Sequence, residues 1–329
     1  MIITQTPFRI SFFGGGTDYQ PFFNEYGGSV ISTTFNKYVY TTVRKLPPFF
    51  EYHTQAKYSK IESVRKTEEI NHPLIRNCML YTGLHNLSIL YDADLPARSG
   101  LGSSSSFAVG LLQAFHALNG KYVDKRQLAN EAINVERELC GEDGGWQDQI
   151  AAAYGGLNRI DFSDSSFSVR TVVIPKERKK QLESHIMIFY TGKTRLSSQI
   201  AREQVNAIKS KTKELLEMKN LVDEAEKILY SHCDIAEFGK LLDYTWQLKR
   251  GLTSKITTNT IDDIYNKGID SGALGGKLLG AGNGGFMMFF VPPDRQQHFK
   301  QSFSKLLYIP IVFENEGVKI VYYTSDVCE

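Results

Sequence analysis

The chain has 329 residues, of which 42% are hydrophobic and 12% aromatic, enough apolar material for one large or two moderate cores. Its 38 basic residues nearly balance its 36 acidic ones, and this argues against a general nucleic-acid or anionic-membrane binder, which needs a basic surplus. No stretch approaches the ~18 apolar residues of a membrane span. Four scattered cysteines indicate neither a disulfide framework nor a zinc site, so we expect a globular cytoplasmic protein.

The amino-terminal part of the chain is dominated by strand-like segments, rich in β-branched and aromatic residues and bounded by Gly, Pro or Asn. Arg9 lies on the first of them, and Asp18 follows the triple-glycine turn after it. These two residues either form an ordinary surface ion pair and a turn cap, or stabilise phosphate charge and accept hydrogen bonds from substrate hydroxyls. The predicted strands span residues 9–13, 29–34, 38–44 and 87–91.

Residues 96–106, with the sequence PARSGLGSSSS, crowd glycines and hydroxyls directly before an apolar helix that ends at Asn119 and Gly120. Glycine lets the backbone come close to an anion, and the first amides of a helix favour negative charge. A serine cap explains part of this run, but four consecutive serines exceed what one cap needs. The segment predicts a phosphate-binding turn.

Two further helices follow, one from Asp124 to Gly141 and a short one over residues 146–154. Glu136 lies near the edge of the apolar stripe of the first of these helices, where a carboxylate is either a boundary residue or a metal ligand. Asp148 stands at the start of the short helix, among small and apolar residues. Each carboxylate has an ordinary structural explanation when taken singly.

The pattern restarts in the second half of the chain with a strand, long charged helices to about residue 252, another helix and two strands. We therefore expect two α+β domains, residues 1–175 and 176–329, with a cleft between them. The strands are predicted at 186–190, 286–291 and 318–323, and the last helix at 261–270.

Two familiar glycine motifs do not fit their usual settings. Residues 192–194 end like a P-loop but lack its first glycine. Residues 280–285 satisfy G-x-G-x-x-G, yet a helical stretch is predicted before them and a strand after them, the reverse of a dinucleotide fold. The glycines at positions Gly280, Gly282, Gly284 and Gly285 instead suggest a backbone that passes close to another group.

Together these segments resemble those of the GHMP kinase superfamily, the galactokinase, homoserine kinase, mevalonate kinase and phosphomevalonate kinase group. The family element P-x-x-x-G-L-G-S-S stands at residues 96–104, the amino-terminal motif at 7–18 and the carboxy-terminal glycine loop at 280–285. The resemblance covers the whole chain. It implies a two-domain α+β GHMP kinase fold with the active site in the cleft, and a first domain that binds ATP and supplies the catalytic base.

The same resemblance implies roles for single residues. Asp148 deprotonates or orients the attacking hydroxyl beside Arg9, while Ser104 and Glu136 hold Mg²⁺. Ser105 and Ser106 are expected to cap the helix. Residues 140–144 depart from the family's usual N-P-S-G before the base. The residues implied to bind the nucleotide are Pro96, Arg98, Ser99, Gly100, Leu101, Gly102, Ser103, Ser104 and Ser105.

Within the superfamily, residues 9–19 and 96–106 most resemble the kinases that phosphorylate the anomeric C1 hydroxyl of D-glycero-D-manno-heptose 7-phosphate, giving a 1,7-bisphosphate for nucleotide-activated heptose. The alternative is a fucokinase-like or galactokinase-like enzyme for an unphosphorylated sugar, although Gly15 and Gly16 replace the Glu-His of the galactokinase G-E-H-T-D. A non-catalytic sensor of sugar and ATP is expected to lack the base or the metal residues, and this chain has both.

The expected partners are therefore a small sugar phosphate and ATP, in a monomer or homodimer. Five cations are candidates for the substrate phosphate: Arg98, Lys193, Arg195, Lys249 and Arg250, of which Arg195 and Lys249 are favoured. The substrate-binding residues implied in all are Arg9, Gly16, Thr17, Asp18, Asp148, Arg195 and Lys249.

Overall fold

The computed structural model describes residues 1–97, 100–192 and 197–324, with the side chains of residues 197–199 left out. Its strands are β1 Ile2–Phe13, β2 Gly28–Lys45, β3 Thr54–Lys57, β4 Ile61–Val64, β5 Leu87–Ala93, β6 Asn158–Ser163, β7 Ser166–Thr171, β8 Ile186–Tyr190, β9 Gly275–Leu278, β10 Phe286–Phe290, β11 Leu307–Ile309, β12 Phe313–Glu314 and β13 Lys319–Tyr323. Its helices are α1 Gln20–Tyr26, α2 Pro73–Thr82, α3 Ser103–Leu118, α4 Lys125–Asn134, α5 Gln147–Tyr154, α6 Lys176–His185, α7 Ser197–Ala207, α8 Thr212–Tyr230, α9 Ala236–Arg250, α10 Asn259–Asp270 and α11 Gln296–Ser302.

The first sheet is built on the long antiparallel pair of β1 and β2. In the described part of the chain it has nine strands, with the main order β13-β1-β2-β5-β3-β4; β6 and β12 also pair with β2, and β7 pairs with β6. Every residue of β1 from Thr6 to Phe13 is buried, because α3, α5, α8 and α9 all pack against this strand. Apolar Phe8, Ile10 and Phe12 alternate with polar Arg9 and Ser11 along this strand, and both faces are buried.

The second sheet has the order β11-β8-β10-β9 and carries the glycine loop at one end. The loop joins β9 to β10 in an antiparallel pair, with Leu278 opposite Met287. The prediction of a helical stretch directly before the glycines is therefore wrong, because residues 275–278 pair with β10 as a strand. A strand also follows the loop, so the argument against a dinucleotide fold holds.

The last described strands return to the first sheet. β12 pairs with β2, and β13 pairs with β1 through partners such as Ile2 and Tyr323. Phe313 joins the same core cluster as the residues of β1. The boundary at residues 175 and 176 stays a prediction, but β12 and β13 belong structurally with the first half because they cover the open edge of β1 and a side of β2.

Most long periodic elements are confirmed, with two local changes. The predicted strands 29–34 and 38–44 form the single strand β2, since the pairing with β1 shifts register at Pro7 and Phe8 and absorbs the residues between them. Helix α4 continues as a π-helical turn, Val135–Leu139, before the chain reverses near Gly141. None of the described helices combines the length and apolar character needed to cross a membrane.

Candidate active site

The serine-rich segment forms a tight turn that leads into α3, with Gly102 in the left-handed region at φ +80° as the residue before the helix. The turn lies directly against the glycine loop of the second sheet. A Cβ on Gly100 would be 2.4 Å from the Leu279 carbonyl oxygen, and one on Gly280 would be 2.4 Å from the Gly100 Cα. The close backbone approach predicted for these glycines is confirmed, and it joins the two halves of the chain at the start of α3.

Arg9 connects this turn to Asp148, which stands in the first turn of α5. The Arg9 Nε lies 2.7 Å from Asp148 Oδ1, and its NH1 donates to the Gly100 carbonyl at 2.9 Å. The Arg9 backbone amide also donates to the Leu101 carbonyl, at 3.3 Å. Arg9 is 4% exposed, whereas the Asp148 side chain is 24% exposed. The carboxylate is thus held by Arg9 and remains partly exposed.

Asp18 is a second carboxyl group beside Asp148. It is buried, and its oxygens accept from the backbone amides of Gly16 at 2.9 Å and Gln147 at 3.4 Å. A Cβ on Gly145 would stand 1.8 Å from Asp18 Oδ2, so only glycine lets the loop before α5 pass this carboxyl. Burial raises the pKa of Asp18, as does the charge of Asp148, while the two backbone amides lower it.

Two buried lysines lie in the same region. Lys249, at the end of α9, donates from Nζ to the Gly280 carbonyl at 2.8 Å. Burial, and then the charge of Arg9, lower the pKa of Lys249 to about 8, against the opposing effect of the nearby carboxylates. Lys277 on β9 donates to the Phe12 carbonyl at 2.9 Å, and burial holds its pKa well below the usual value.

Glu136 sits in the π-helical turn and is 1% exposed. Its carboxylate accepts from Ser104 Oγ at 2.6 Å, from Ser105 Oγ at 2.7 Å and from Gln149 Nε2 at 2.5 Å. The expectation that Ser105 and Ser106 cap α3 is wrong. Ser105 donates to Glu136 and Ser106 donates to the Pro7 carbonyl at 2.9 Å, so neither of these two serines caps the helix.

Ser104 and Glu136 supply the kind of oxygen donors that Mg²⁺ prefers, a hydroxyl and a carboxylate next to a helix start that attracts phosphate. The described residues contain no group of three or more His, Cys, Asp or Glu that could hold a metal ion. Mg²⁺ usually keeps several waters and shares phosphate oxygens with its nucleotide, so one carboxylate and one hydroxyl are a sufficient protein contribution. The pair therefore fits a magnesium ion held together with a bound nucleotide.

Other predicted site residues shape the turns. Thr17 is fully buried and its hydroxyl donates to the Gly14 carbonyl at 2.8 Å, while the Gly16 amide donates to Asp18 Oδ1. Gly285 accepts from the Thr191 amide at 2.9 Å. Arg250 pairs with Asp262 at 2.7 Å.

The structure describes some of the remaining predicted site residues and not others. Leu101 is fully buried, and Pro96 is exposed in the loop before the turn. A Cβ on Gly282 would be 2.7 Å from the Ile256 Cα, so this part of the glycine loop also needs close backbone packing. The residues that lie outside the described ones are Arg98, Ser99, Lys193 and Arg195.

Gln149 and Lys277 are among the polar residues of this site that the sequence interpretation missed. Gln149 follows Asp148 in α5 and holds Glu136, and Lys277 is a lone lysine inside a buried strand. The signal for Lys277 was present, because a lysine between glycines and two leucines has no polar face to occupy. Gln149 gave no such signal, since an amide in the first turn of a helix is usually exposed.

The comparisons with known proteins agree with this architecture. Residues 69–156 match the model of the GHMP kinases N terminal domain, and residues 215–309 match that of the GHMP kinases C terminal domain. The D-glycero-alpha-D-manno-heptose 7-phosphate kinase of Campylobacter jejuni is 29% identical over 97% of this chain and 98% of its own length. The bifunctional fucokinase/GDP-fucose pyrophosphorylase of Arabidopsis thaliana is 27% identical over 86% of this chain and 29% of its own length.

A solved structure extends the likeness to the whole fold. The D-glycero-D-manno-heptose 1-phosphate kinase from Bacteroides thetaiotaomicron superposes with a TM-score of 0.81 at 23% identity, covering 99% of this chain and 100% of that one. The chain belongs to the GHMP kinase family. It is an ATP-dependent kinase, and the expected α+β GHMP kinase fold is confirmed.

Proposed function

We propose that this kinase transfers the γ-phosphoryl group of ATP to the anomeric C1 hydroxyl of D-glycero-D-manno-heptose 7-phosphate, giving the 1,7-bisphosphate. The observation that carries the chemistry is the Arg9–Asp148 pair, 2.7 Å apart and bound to the carbonyl of Gly100 in the serine-rich turn. The acceptor is supported by the likeness to the Campylobacter jejuni heptose 7-phosphate kinase over nearly the full length of both chains.

ATP would place its phosphates against the turn at residues 100–105. Helix amides and the partial positive charge of a helix start favour an anion there, and the close backbone contact between Gly100 and Gly280 leaves no side chain in the way. Ser104 and Glu136 would hold Mg²⁺ beside the phosphates. When bound, the ion neutralises phosphate charge during transfer.

Asp148 orients the sugar hydroxyl and takes its proton as the new P–O bond forms, while ADP leaves with the electrons of the broken bond. Arg9 holds Oδ1 of this carboxylate by its Nε, so the group is aimed before the acceptor arrives. The buried Lys249, whose pKa of about 8 keeps it largely protonated at neutral pH, adds positive potential where negative charge spreads in the transition state.

The second candidate is a kinase for an unphosphorylated sugar, favoured by the likeness to the Arabidopsis thaliana fucokinase protein over 86% of this chain. A coupled ATPase assay across heptose 7-phosphate, fucose, galactose and mevalonate separates the candidates, and phosphorus NMR of the product identifies the phosphorylated oxygen. We expect heptose 7-phosphate to have the highest kcat/KM, by about 100-fold or more, equivalent to roughly 2.7 kcal/mol. Preferential turnover of fucose or galactose would contradict the proposal and support the second candidate.

A further inference from the structure

Gly15 is a glycine that neither the backbone nor the packing requires. Its neighbours differ from it: Gly14 has φ +79° and a Cβ there would stand 1.8 Å from the Ser29 carbonyl oxygen, and Gly16 has φ +111°. Gly15 is outside the left-handed region, and the nearest atom to a Cβ built on it is 3.6 Å away. An alanine fits at this position, so the missing side chain calls for another explanation.

The space that a side chain at Gly15 would enter is bounded by polar groups from three different elements. They are Ser11 Oγ of β1 at 3.6 Å, Gln147 Nε2 of α5 at 3.7 Å and Lys249 Nζ of α9 at 4.0 Å. The three atoms nearest to the Cβ position are all polar. Polar atoms from separate parts of the chain therefore surround the face of Gly15 that carries no side chain.

Two of these side chains carry a buried polar atom without a partner. Ser11 and Gln147 are 6% and 8% exposed, and among the described residues Ser11 Oγ, which faces Gly15, and Gln147 Oε1, the other end of the amide that faces Gly15, have no hydrogen-bond partner. The Lys249 ammonium has three protons, one of which it donates to the Gly280 carbonyl. Buried polar atoms are rarely left unsatisfied in a folded protein, so this arrangement suits a ligand whose oxygens accept from Ser11 and Lys249. A hydroxyl on that ligand would also donate to Gln147 Oε1.

The open space adjoins the reacting carboxylate on the side of the acceptor. Gln147 immediately precedes Asp148 in α5, and the charge on Lys249 interacts with both Asp18 and Asp148. The residues suited to the nucleotide phosphates and Mg²⁺ belong instead to the turn before α3 and to Glu136. A group bound over Gly15 is therefore part of the acceptor.

We propose that the space over Gly15 is an acceptor subsite, in which Ser11, Gln147 and Lys249 bind an oxygen-bearing substituent of the sugar. The absence of a side chain at position 15 then determines which acceptors fit. This inference rests on the proposed function for the identity of the acceptor as a sugar. The substituent carries either phosphate or hydroxyl oxygens, and the experiment below distinguishes these two sources.

The test is Gly15→Ala, measured with the panel acceptor that the wild-type enzyme prefers. We expect KM for the acceptor to rise about tenfold or more, which corresponds to roughly 1.4 kcal/mol, while KM for ATP stays within about twofold. The melting temperature should not fall, because the backbone at Gly15 accepts alanine. Gly251→Ala is the matched control. Gly251 is also outside the left-handed region, and a Cβ built on it would be 3.4 Å from its nearest neighbour, the Leu248 carbonyl oxygen.

Ser11→Ala provides a second variant that removes one of the unpartnered groups without adding volume. Ser11→Ala should also raise KM for the acceptor and leave KM for ATP unchanged. A purely structural role of Ser11 would instead lower the melting temperature and change both KM values. Unchanged acceptor KM in both variants, or a rise in KM for ATP instead, would overturn the proposal.

Heptose with and without its 7-phosphate identifies the bound substituent. A larger loss on the phosphorylated sugar assigns phosphate oxygens to the subsite, and an equal loss assigns hydroxyl oxygens. If the wild type prefers galactose, fucose or mevalonate, the proposed function fails, yet Gly15→Ala measured on that acceptor still decides the subsite.

Discussion

Lys249 is the residue through which pH should act on the reaction. Burial, and then Arg9, lower its pKa to about 8, so the ammonium loses its charge as pH rises through that value. We expect kcat/KM for the acceptor to fall above about pH 8, because the cation beside the acceptor is lost. A profile from about pH 6.5 to about pH 9.5 tests this, with Lys249→Met as the variant in which the alkaline fall is absent. A wild-type profile that stays level to the alkaline end would contradict the role of Lys249.

The same lysine should make the folded protein more stable as pH rises, whereas it lowers kcat/KM. Its folded-state pKa of about 8 lies below the ordinary value of 10.5, so the unfolded chain binds more protons between these two values. The free energy of unfolding therefore gains up to about 1.4 kcal/mol per pH unit from Lys249 within that window. Urea unfolding of wild type and Lys249→Met at about pH 7.5 and about pH 9.5 isolates the effect as a smaller pH response in the variant. An identical pH response in both proteins would contradict a lowered pKa for Lys249 in the folded state.

At this scale the family resemblance implied the two central side-chain pairs, but not the other polar residues around them. Arg9 meets Asp148, and Ser104 meets Glu136, as the family resemblance implied. Ser11 and Lys277 were missed, because the burial of a single hydroxyl or lysine depends on which distant elements cover it. Nothing in the neighbouring sequence carries that information.

Helix α3 must lie close to the first sheet for its first turn to meet Arg9. At Gly110 a Cβ would be 2.6 Å from Thr6 Oγ1 and 3.1 Å from Thr4 Oγ1, and the Gly110 carbonyl accepts from Thr4 Oγ1 at 3.0 Å. Gly110→Val should therefore push the helix outward and cost about 1–3 kcal/mol of unfolding free energy. It should also lower kcat, since the serine-rich turn moves with the helix.

Denaturant unfolding and steady-state kinetics measure the two effects of Gly110→Val. Gln113→Val is the control, because it places the same β-branched residue in the same helix at a half-buried position. Equal stability of the two variants would contradict close packing at Gly110.

Among elements, periodicity predicted the helices well and the strands less completely. The spacing in α3, α4 and α10 locates each to within a few residues, because one apolar face per helix repeats along the sequence. Strand β9 was given as helical, since Gly275–Leu278 contains no β-branched residue and becomes a strand only by pairing with β10. The conformation of β9 therefore depends on β10, the strand that follows the glycine loop in the sequence.

Two strands from near the carboxy-terminal end of the sequence complete the first sheet. β12 and β13 pair with β2 and β1, which begin at residues 28 and 2. A chain that ends at Val312 should lose several kcal/mol of unfolding free energy and aggregate, because the edge of β1 and core contacts of Phe313 are uncovered. A chain that ends at Thr324 is the control, since it keeps both strands. Thermal unfolding with light scattering compares the two, and equal melting temperatures would contradict this closure.

The sequence predicted two α+β domains, a division that stays a prediction, but it gave no signal for the route of the chain. The strand-like first half, the charged helices of the second and the three glycine segments each leave a local pattern. The return of β13 to β1 leaves none, because its pairing partner lies at the opposite end of the sequence. The contact between Gly100 and Gly280 was implied only as a close approach to an unspecified group.

The central claim is that Asp148, held by Arg9, activates the acceptor at the start of α3. Asp148→Asn keeps the shape of the side chain and an oxygen for Arg9 but cannot accept a proton as a carboxylate does. We expect ATP affinity, measured by calorimetry, to stay within about twofold, while kcat in the coupled assay falls by about 10³-fold or more. Asp263→Asn on the exposed side of α10 is the control and should retain full activity. A kcat near the wild-type value in Asp148→Asn would contradict the account.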